Sequence, residues 1–343
     1  MREFSSLARA DIQRPELSLV IPLFNAAATI DWLVQQLHVD FEGVDFEVVL
    51  VNDGSADSSE DACLQLVQKF PETVGYVHLA RNYGEHTAVL AGLRQTRGRF
   101  VAILDDDGQN PPDEARRMFE HAWRHDFDVV YGRYEFRKHS AFRRAGSWFN
   151  DLVAGFVLDK PRGIHLSSFK VMSRMVVDEL VKYDGKFPYL DGMIFRITQN
   201  VDEMAVTHLP RRAGRSGYSL RKLVSLWMNM FLGFSMVPLR AALVLGGTLA
   251  AIGMLALAAL VARAWSDPPS GVSLPMLTSC ISVFAVGQYI MLAILGEYMG
   301  RSYLQHNGTP QYVVRYVQTG SDADDSLHAA EAFREQSSSW PVY

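Results

Sequence analysis

Two long uncharged apolar runs constrain this chain more than any other feature of its sequence. The first, Ala241–Ala262, is bounded by Arg240 and Arg263; the second, Val272–Gly296, is closed by Glu297 and Arg301. A bilayer-spanning helix needs roughly 18 to 20 apolar residues, and each run is long enough. The alternative is a pair of buried helices in a soluble core. The loop between the runs, Arg263–Gly271, carries the breakers Pro268 and Pro269 and a single arginine, whereas Arg221, Lys222 and Arg240 precede the first run and Arg301 and Arg315 follow the second. The positive-inside rule then predicts both termini, and everything before residue 215, on the cytoplasmic side. Just upstream, Leu220, Leu223, Val224, Trp227, Met230, Phe231 and Phe234 recur at helical spacing, opposite Lys222, Ser225 and Asn229. That pattern predicts an amphipathic helix over 219–236, lying in the membrane interface or packed on the preceding domain.

Composition narrows the remainder. A net charge of -5 over 343 residues argues against non-specific nucleic-acid binding, which needs a basic excess. The two cysteines, Cys63 and Cys280, fall in regions of different character, so a disulfide framework is not expected. The segment 1–16 has scattered charges and no apolar core, unlike a secretory signal. The tail from 302 on, polar and rich in serine beyond Val317, is expected to be partly disordered.

From Leu17 to Tyr131 apolar runs alternate with helix-like stretches. Strands are predicted at Leu17–Pro22, Phe46–Val51, Val74–Leu79, Phe100–Leu104 and Asp128–Tyr131. Helices are predicted at Ile30–Val39, at Ser58–Phe70 with Asp57 or Ser58 as N-cap, at Thr87–Thr96 before Gly98, and from Pro111-Pro112 onward. This alternation predicts an α/β domain over 17–218 with a mostly parallel sheet covered on both faces. Between Gly132 and Pro210 the pattern is less regular. Polar residues cluster where the strands end: Asn25 after the first, Asn52-Asp53-Gly54 after the second, Arg81-Asn82-Tyr83-Gly84 after the third, Asp105-Asp106-Asp107 after the fourth. Open α/β sheets bind ligands at that edge.

The acidic triplet is the strongest local signal for chemistry. Carboxylates two residues apart at a strand end can converge on a hard divalent cation, and Asp105 and Asp107 are the better pair by spacing. The competing reading is a solvated acidic turn. Asp53 is either part of an Asp-Gly turn or an acceptor for a base or a ribose. Arg133, Arg137, Arg143, Arg144, Arg211, Arg212 and Arg215 supply guanidinium groups suited to a phosphorylated ligand. His86, His165 and His208 are too scattered for a metal cluster. Neither a Walker phosphate loop nor a nucleophile elbow occurs.

The runs Val20-Ile21-Pro22-Leu23-Phe24-Asn25 and Val51-Asn52-Asp53-Gly54-Ser55 resemble the nucleotide-binding strands of family-2 glycosyltransferases with the GT-A fold. More narrowly, several motifs are similar to bacterial polyprenyl-phosphate glycosyltransferases: Arg81-Asn82-Tyr83-Gly84-Glu85-His86, Gln109-Asn110-Pro111-Pro112, Arg211-x-x-Gly214-x-Ser216-x-Tyr218 and Leu295-Gly296-Glu297-Tyr298-Met299-Gly300-Arg301. The likeness runs over about residues 17 to 317. It implies a nucleotide-sugar donor, with a lean to uridine, a polyisoprenyl phosphate acceptor, Mg²⁺ or Mn²⁺, inversion at the anomeric carbon, the bacterial cytoplasmic membrane, and a homo-oligomer, by likeness a tetramer. By match, Asp53 would serve the base of the donor and Gln109 the site beside its diphosphate; Pro22, Asn25, Asn82 and Asp106 are further candidates for the donor site. Asp105 and Asp107 would serve the metal-diphosphate region, and Arg133, Arg143, Arg211 and Ser216 the acceptor phosphate. The chain departs from the pattern at Asp106, where alanine is usual, at Gly108, where leucine is usual, and at Gly217, where lysine is usual.

Overall fold

A computed structural model describes residues 14–134, 161, 163–186, 188–210, 237–266, 274–308 and 310–320. Arg143, Arg211, Ser216, the expected helix over 219–236, the segment before residue 14 and the tail beyond 320 lie outside the described residues. The chain divides into two compact units, Met1–Gly217 with Pro310–Tyr343, and Tyr218–Thr309.

The first unit is built on one mixed sheet of eight strands, in the order β7-β5-β6-β4-β1-β2-β3-β8. The strands are β1 (Leu17–Leu23), β2 (Phe46–Asn52), β3 (Val74–Leu79), β4 (Phe100–Ile103), β5 (Val129–Tyr134), β6 (Lys170–Ser173), β7 (Val201–Val206) and β8 (Val314–Gln318). All seven residues of β1 are buried, as a strand covered on both faces requires. β3, β2, β1 and β4 run parallel, β6 is antiparallel to both β4 and β5, and β5 and β7 are parallel. β1, β2, β3, β4, β5 and β7 therefore point the same way, and all deliver their carboxyl ends to one edge. β8 closes the far side antiparallel to β3. The sequence pattern did not anticipate β6, β7 or β8, because short strands next to loops carry too few residues to show a period.

Four helices cover this sheet where the pattern expects them: α1 (Ile30–Asp40), α2 (Ser59–Lys69), α3 (Glu85–Leu93) and α4 (Pro112–His125). α1 buries Ile30, Leu33, Val34 and Leu37, and α4 buries Ala115, Met118, Phe119 and Ala122, each an i, i+3, i+4, i+7 stripe. Ser58 occupies the N-cap position of α2 without a side-chain bond, while Asp57 accepts from the Ser59 and Ala27 N–H groups. α3 is buried from Thr87 to Leu93, so its apolar residues fill every side and no stripe marks its limits. It stops three residues before the predicted end, where the Arg94 guanidinium turns to Tyr312, Asp184 and the Tyr183 carbonyl. Two short helices follow, α5 (Arg174–Leu180) and α6 (Leu190–Ile197).

The second unit contains two long helices, α7 (Val237–Ser266, 30 residues), which includes the first apolar run, and α8 (Leu274–His306, 33 residues), which begins two residues into the second. They pack through small residues: Met291 lies against Gly246 and Leu249 against Gly287, where a β-carbon would collide. Leu243, Val244, Met254 and Leu255 on α7 and Ile281, Val286 and Leu292 on α8 are exposed. Among the described residues one helix segment, Ile281–Leu304 with mean hydropathy 1.5, is long and apolar enough to cross a membrane; α7 contributes the shorter apolar segment Ala242–Ala256.

Candidate active site

The loops that leave β1, β2, β3 and β4 are tied to one another by side chains, and the ties come from residues the sequence singled out. Asn25 sits at φ 57° in the left-handed region, which asparagine tolerates better than most residues. Its Oδ1 accepts from the Ala56 N–H at 2.9 Å, and its own N–H donates to Ser55 Oγ at 3.0 Å. Pro22 lies beside them in β1. The Val20 carbonyl accepts from the Leu104 N–H, so Pro22, two residues on, faces the same side just where β4 has given way to the acidic loop. Its missing N–H therefore leaves no ladder bond unmade.

Asp53 is 4% exposed and clamps the next loop: Oδ1 accepts from the Tyr83 N–H at 2.7 Å and Oδ2 from the Gly84 N–H at 2.8 Å. Burial raises its pKa against the lowering effect of these two bonds. Gly54 follows at φ +67°, and a β-carbon there would lie 2.6 Å from the Arg81 carbonyl carbon. Only glycine lets the two loops approach this closely. Asn82 is exposed on the clamped loop.

Each acid of the triplet has its own setting. Asp106 Oδ2 accepts from the Phe24 N–H at 3.1 Å, a tie to the β1 loop that an alanine could not make. Asp107 is buried and accepts from the Gln109 N–H at 3.0 Å. Gly108 between them has φ 71°, the left-handed region that disfavours leucine. Asp105 Oδ2 accepts from Asn110 Nδ2 at 3.1 Å and from Ser168 Oγ at 2.8 Å. Its pKa is raised, first by burial and further by the neighbouring charge of Asp107, while the bond from Ser168 opposes. Two carboxylates that repel one another in a partly dry site are a setting that a cation would relieve. Among the described residues no group of three or more His, Cys, Asp or Glu side chains is placed to hold a metal, so a cation here would draw further ligands from a bound phosphate or water.

The rest of the edge comes from the irregular part of the sequence. Gln109 turns away from the acids: its Nε2 lies 3.1 Å from His208 Nε2 and donates to the Leu209 carbonyl at 3.1 Å. Arg133, near the carboxyl end of β5, pairs with Glu203 at 3.0 Å, and His165 meets the other oxygen of the same carboxylate at 2.9 Å. Behind Asp105 lies a buried ion pair that the motifs did not reveal. Lys170, opposite Ile103 and Tyr131 in the sheet, contacts Asp191 of α6, and both side chains are under 10% exposed. The Tyr131 hydroxyl donates to the same Asp191 oxygen at 3.1 Å.

Glu85 and His86 open α3 beside this pair. Glu85 keeps solvent-exposed surface although protein surrounds it on most sides. Burial, with Asp105 the next contributor, pushes its pKa up to about 7, while desolvation lowers that of His86 to about 4. A carboxyl raised in the folded state favours folding when protonated. That contribution is complete below the unfolded value near 4.5 and is lost as pH rises through about 7. Thermal unfolding of wild type should therefore drop more steeply between pH 4.5 and 7 than that of Glu85→Gln. Parallel curves would mean the carboxyl is ordinary.

An open α/β sheet that gathers polar, carboxylate-bearing loops at the carboxyl ends of its strands belongs to the class that binds ligands at that edge. Residues 18–181 match the family described as Glycosyl transferase family 2. The chain belongs to that family and is a glycosyltransferase. It is 32% identical over 309 residues to the undecaprenyl-phosphate 4-deoxy-4-formamido-L-arabinose transferase of Pseudomonas fluorescens (strain SBW25), covering 88% of this chain and 89% of that one. The protein of the same name from Pseudomonas paraeruginosa (strain DSM 24068 / PA7) is 31% identical, covering 94% of this chain and 96% of its own. Among solved structures, glucosyl-3-phosphoglycerate synthase from Mycobacterium tuberculosis, in complex with Mn²⁺, uridine diphosphate and phosphoglyceric acid, is 17% identical, covers 66% of this chain and 80% of its own, and has a TM-score of 0.47.

Proposed function

We propose that this chain transfers a sugar from a uridine-linked nucleotide-sugar to undecaprenyl phosphate, or a close polyisoprenyl phosphate, at the cytoplasmic face of a bacterial membrane. The observation that carries the reading is the length of the likeness. Relatives named for undecaprenyl phosphate align over 88–94% of this chain, through the catalytic unit and the apolar helices together. In this reading α7 and α8 both span the bilayer, 219–236 lies in the interface, and the protein assembles as a homo-oligomer, by likeness a tetramer.

The acceptor sets the chemistry. A phosphate monoester is largely a dianion at neutral pH, so it attacks without a general base. Its oxygen forms a bond to the anomeric carbon as the bond from that carbon to the diphosphate oxygen breaks, and the electron pair leaves with the nucleotide. The configuration inverts. The task left to the protein is to hold two anionic groups together. Pro22, Asn25 and Asp53 with the Asn82 loop shape the donor floor, and Asp106 and Gln109 brace it. Asp105 and Asp107 would hold a Mg²⁺ or Mn²⁺ ion, which screens the departing diphosphate when bound. Arg133, Arg143, Arg211 and Ser216 would steady the acceptor phosphate. A hydroxyl acceptor would need a base instead. Asp191 already serves Lys170 and Tyr131, which takes it out of that role.

The test is a panel of labelled nucleotide-sugars incubated with membranes and undecaprenyl phosphate. One donor should yield a lipid product that mild acid hydrolyses. An acid-stable lipid product would place the sugar on a hydroxyl and overturn the acceptor.

A further inference from the structure

The Gln109-Asn110 pair opens the loop between the acidic triplet and α4, and the two side chains go opposite ways. Gln109 reaches outward to His208 and Leu209. Asn110 is fully buried and reaches inward, where its Nδ2 donates to Asp105 Oδ2 at 3.1 Å. Its Oδ1 accepts from the Tyr134 hydroxyl at 2.9 Å, which holds the amide with its NH₂ group toward the carboxylate. Tyr134 is wedged in turn, its ring 4.3 Å from that of His208. Ser168, from the segment before β6, adds a second donor at 2.8 Å to the same Asp105 oxygen. Both donors therefore fall on Oδ2, and Oδ1 accepts no hydrogen bond among the described residues.

We infer that Asn110, Ser168 and Tyr134 are positioning residues that pin Asp105 by one oxygen so that the other is offered, alone, to the divalent cation of the donor diphosphate. This rests on the proposed function and deepens it. A small octahedral cation makes narrow demands on ligand geometry, and a carboxylate pinned on one side is preorganised for a single-oxygen contact. Partners that orient a ligating side chain commonly change metal affinity 10- to 100-fold when removed. The arrangement also gives the Gln-Asn pair a division of labour: Gln109 holds the loop to the β7 exit, and Asn110 acts on the site.

The experiment is Mn²⁺ binding to the full-length protein in detergent, with and without UDP, read from the electron paramagnetic resonance signal of the free ion. Asn110→Ala and Ser168→Ala should each weaken Mn²⁺ roughly tenfold. Tyr134→Phe, which removes only a hydroxyl, should weaken it a few-fold with an unchanged melting temperature. This last variant keeps the test sound if the buried alanine at 110 disturbs folding. Transfer by Tyr134→Phe should recover toward wild type as Mn²⁺ is raised, which a general loosening of the fold would not allow. Binding within twofold of wild type in Ser168→Ala and Tyr134→Phe would overturn the inference. A wild-type protein that takes up no Mn²⁺ even with UDP present would instead remove the cation from the proposed function, and the inference with it.

Discussion

Asp107→Asn is expected to lower sugar transfer by on the order of a thousand-fold, while the protein stays folded and membrane-bound. The expectation separates two jobs of one side chain. Asp107 Oδ1 accepts from the Gln109 N–H at 3.0 Å, and an asparagine oxygen can accept the same bond, so the turn into α4 survives. What disappears is a negative charge beside Asp105, at the strand end where a cation and a diphosphate would meet. Purified variant and wild type should melt together and differ only in turnover. Activity within a few-fold of wild type at saturating Mg²⁺ or Mn²⁺ would remove Asp107 from the metal site.

Lys170→Met is expected to be the most damaging single change to stability. It strands the Asp191 carboxylate in a site where both side chains of the pair are under 10% exposed, leaving it, among the described residues, the hydrogen bond from the Tyr131 hydroxyl. Breaking one half of a buried pair typically costs about 3–5 kcal/mol, because the surviving charge cannot reach water. For a unit of this size that is roughly a 10 °C fall in melting temperature. The double variant Lys170→Met with Asp191→Leu should recover much of the loss, since an apolar pair of similar volume carries no desolvation penalty. A double variant as unstable as the single one would show that the pair contributes through packing and not through charge balance.

The long-range order of the first unit was legible because its strands and helices repeat a period. β1 to β5 and α1 to α4 begin within two residues of the positions that apolar spacing and turn residues mark. The site edge was legible too, since a parallel sheet obliges every strand-end loop to share one side. Other features left no trace in a linear reading. Ser168 and Lys170 lie in a segment with no period, and their meaning comes from Asp105 and Asp191, some sixty and twenty residues away. The Asp106 departure likewise acquires a reason only from the Phe24 N–H that it meets.

By itself the sequence determined β1 to β5 and α1 to α4, their order and the set of polar residues at the ends of β1 to β4, because periodicity and turn chemistry are local properties of a chain. Tertiary structure alone decided which oxygen of Asp105 the Asn110 and Ser168 donors hold. It decided that Asn110 and not Gln109 faces Asp105, and that Lys170 neutralises Asp191. It also brought the chain that follows α8 back to the sheet as β8, against β3. Those outcomes depend on hydrogen bonds and charges between residues far apart in sequence, and such partners exist only once the sheet has brought them to the same edge.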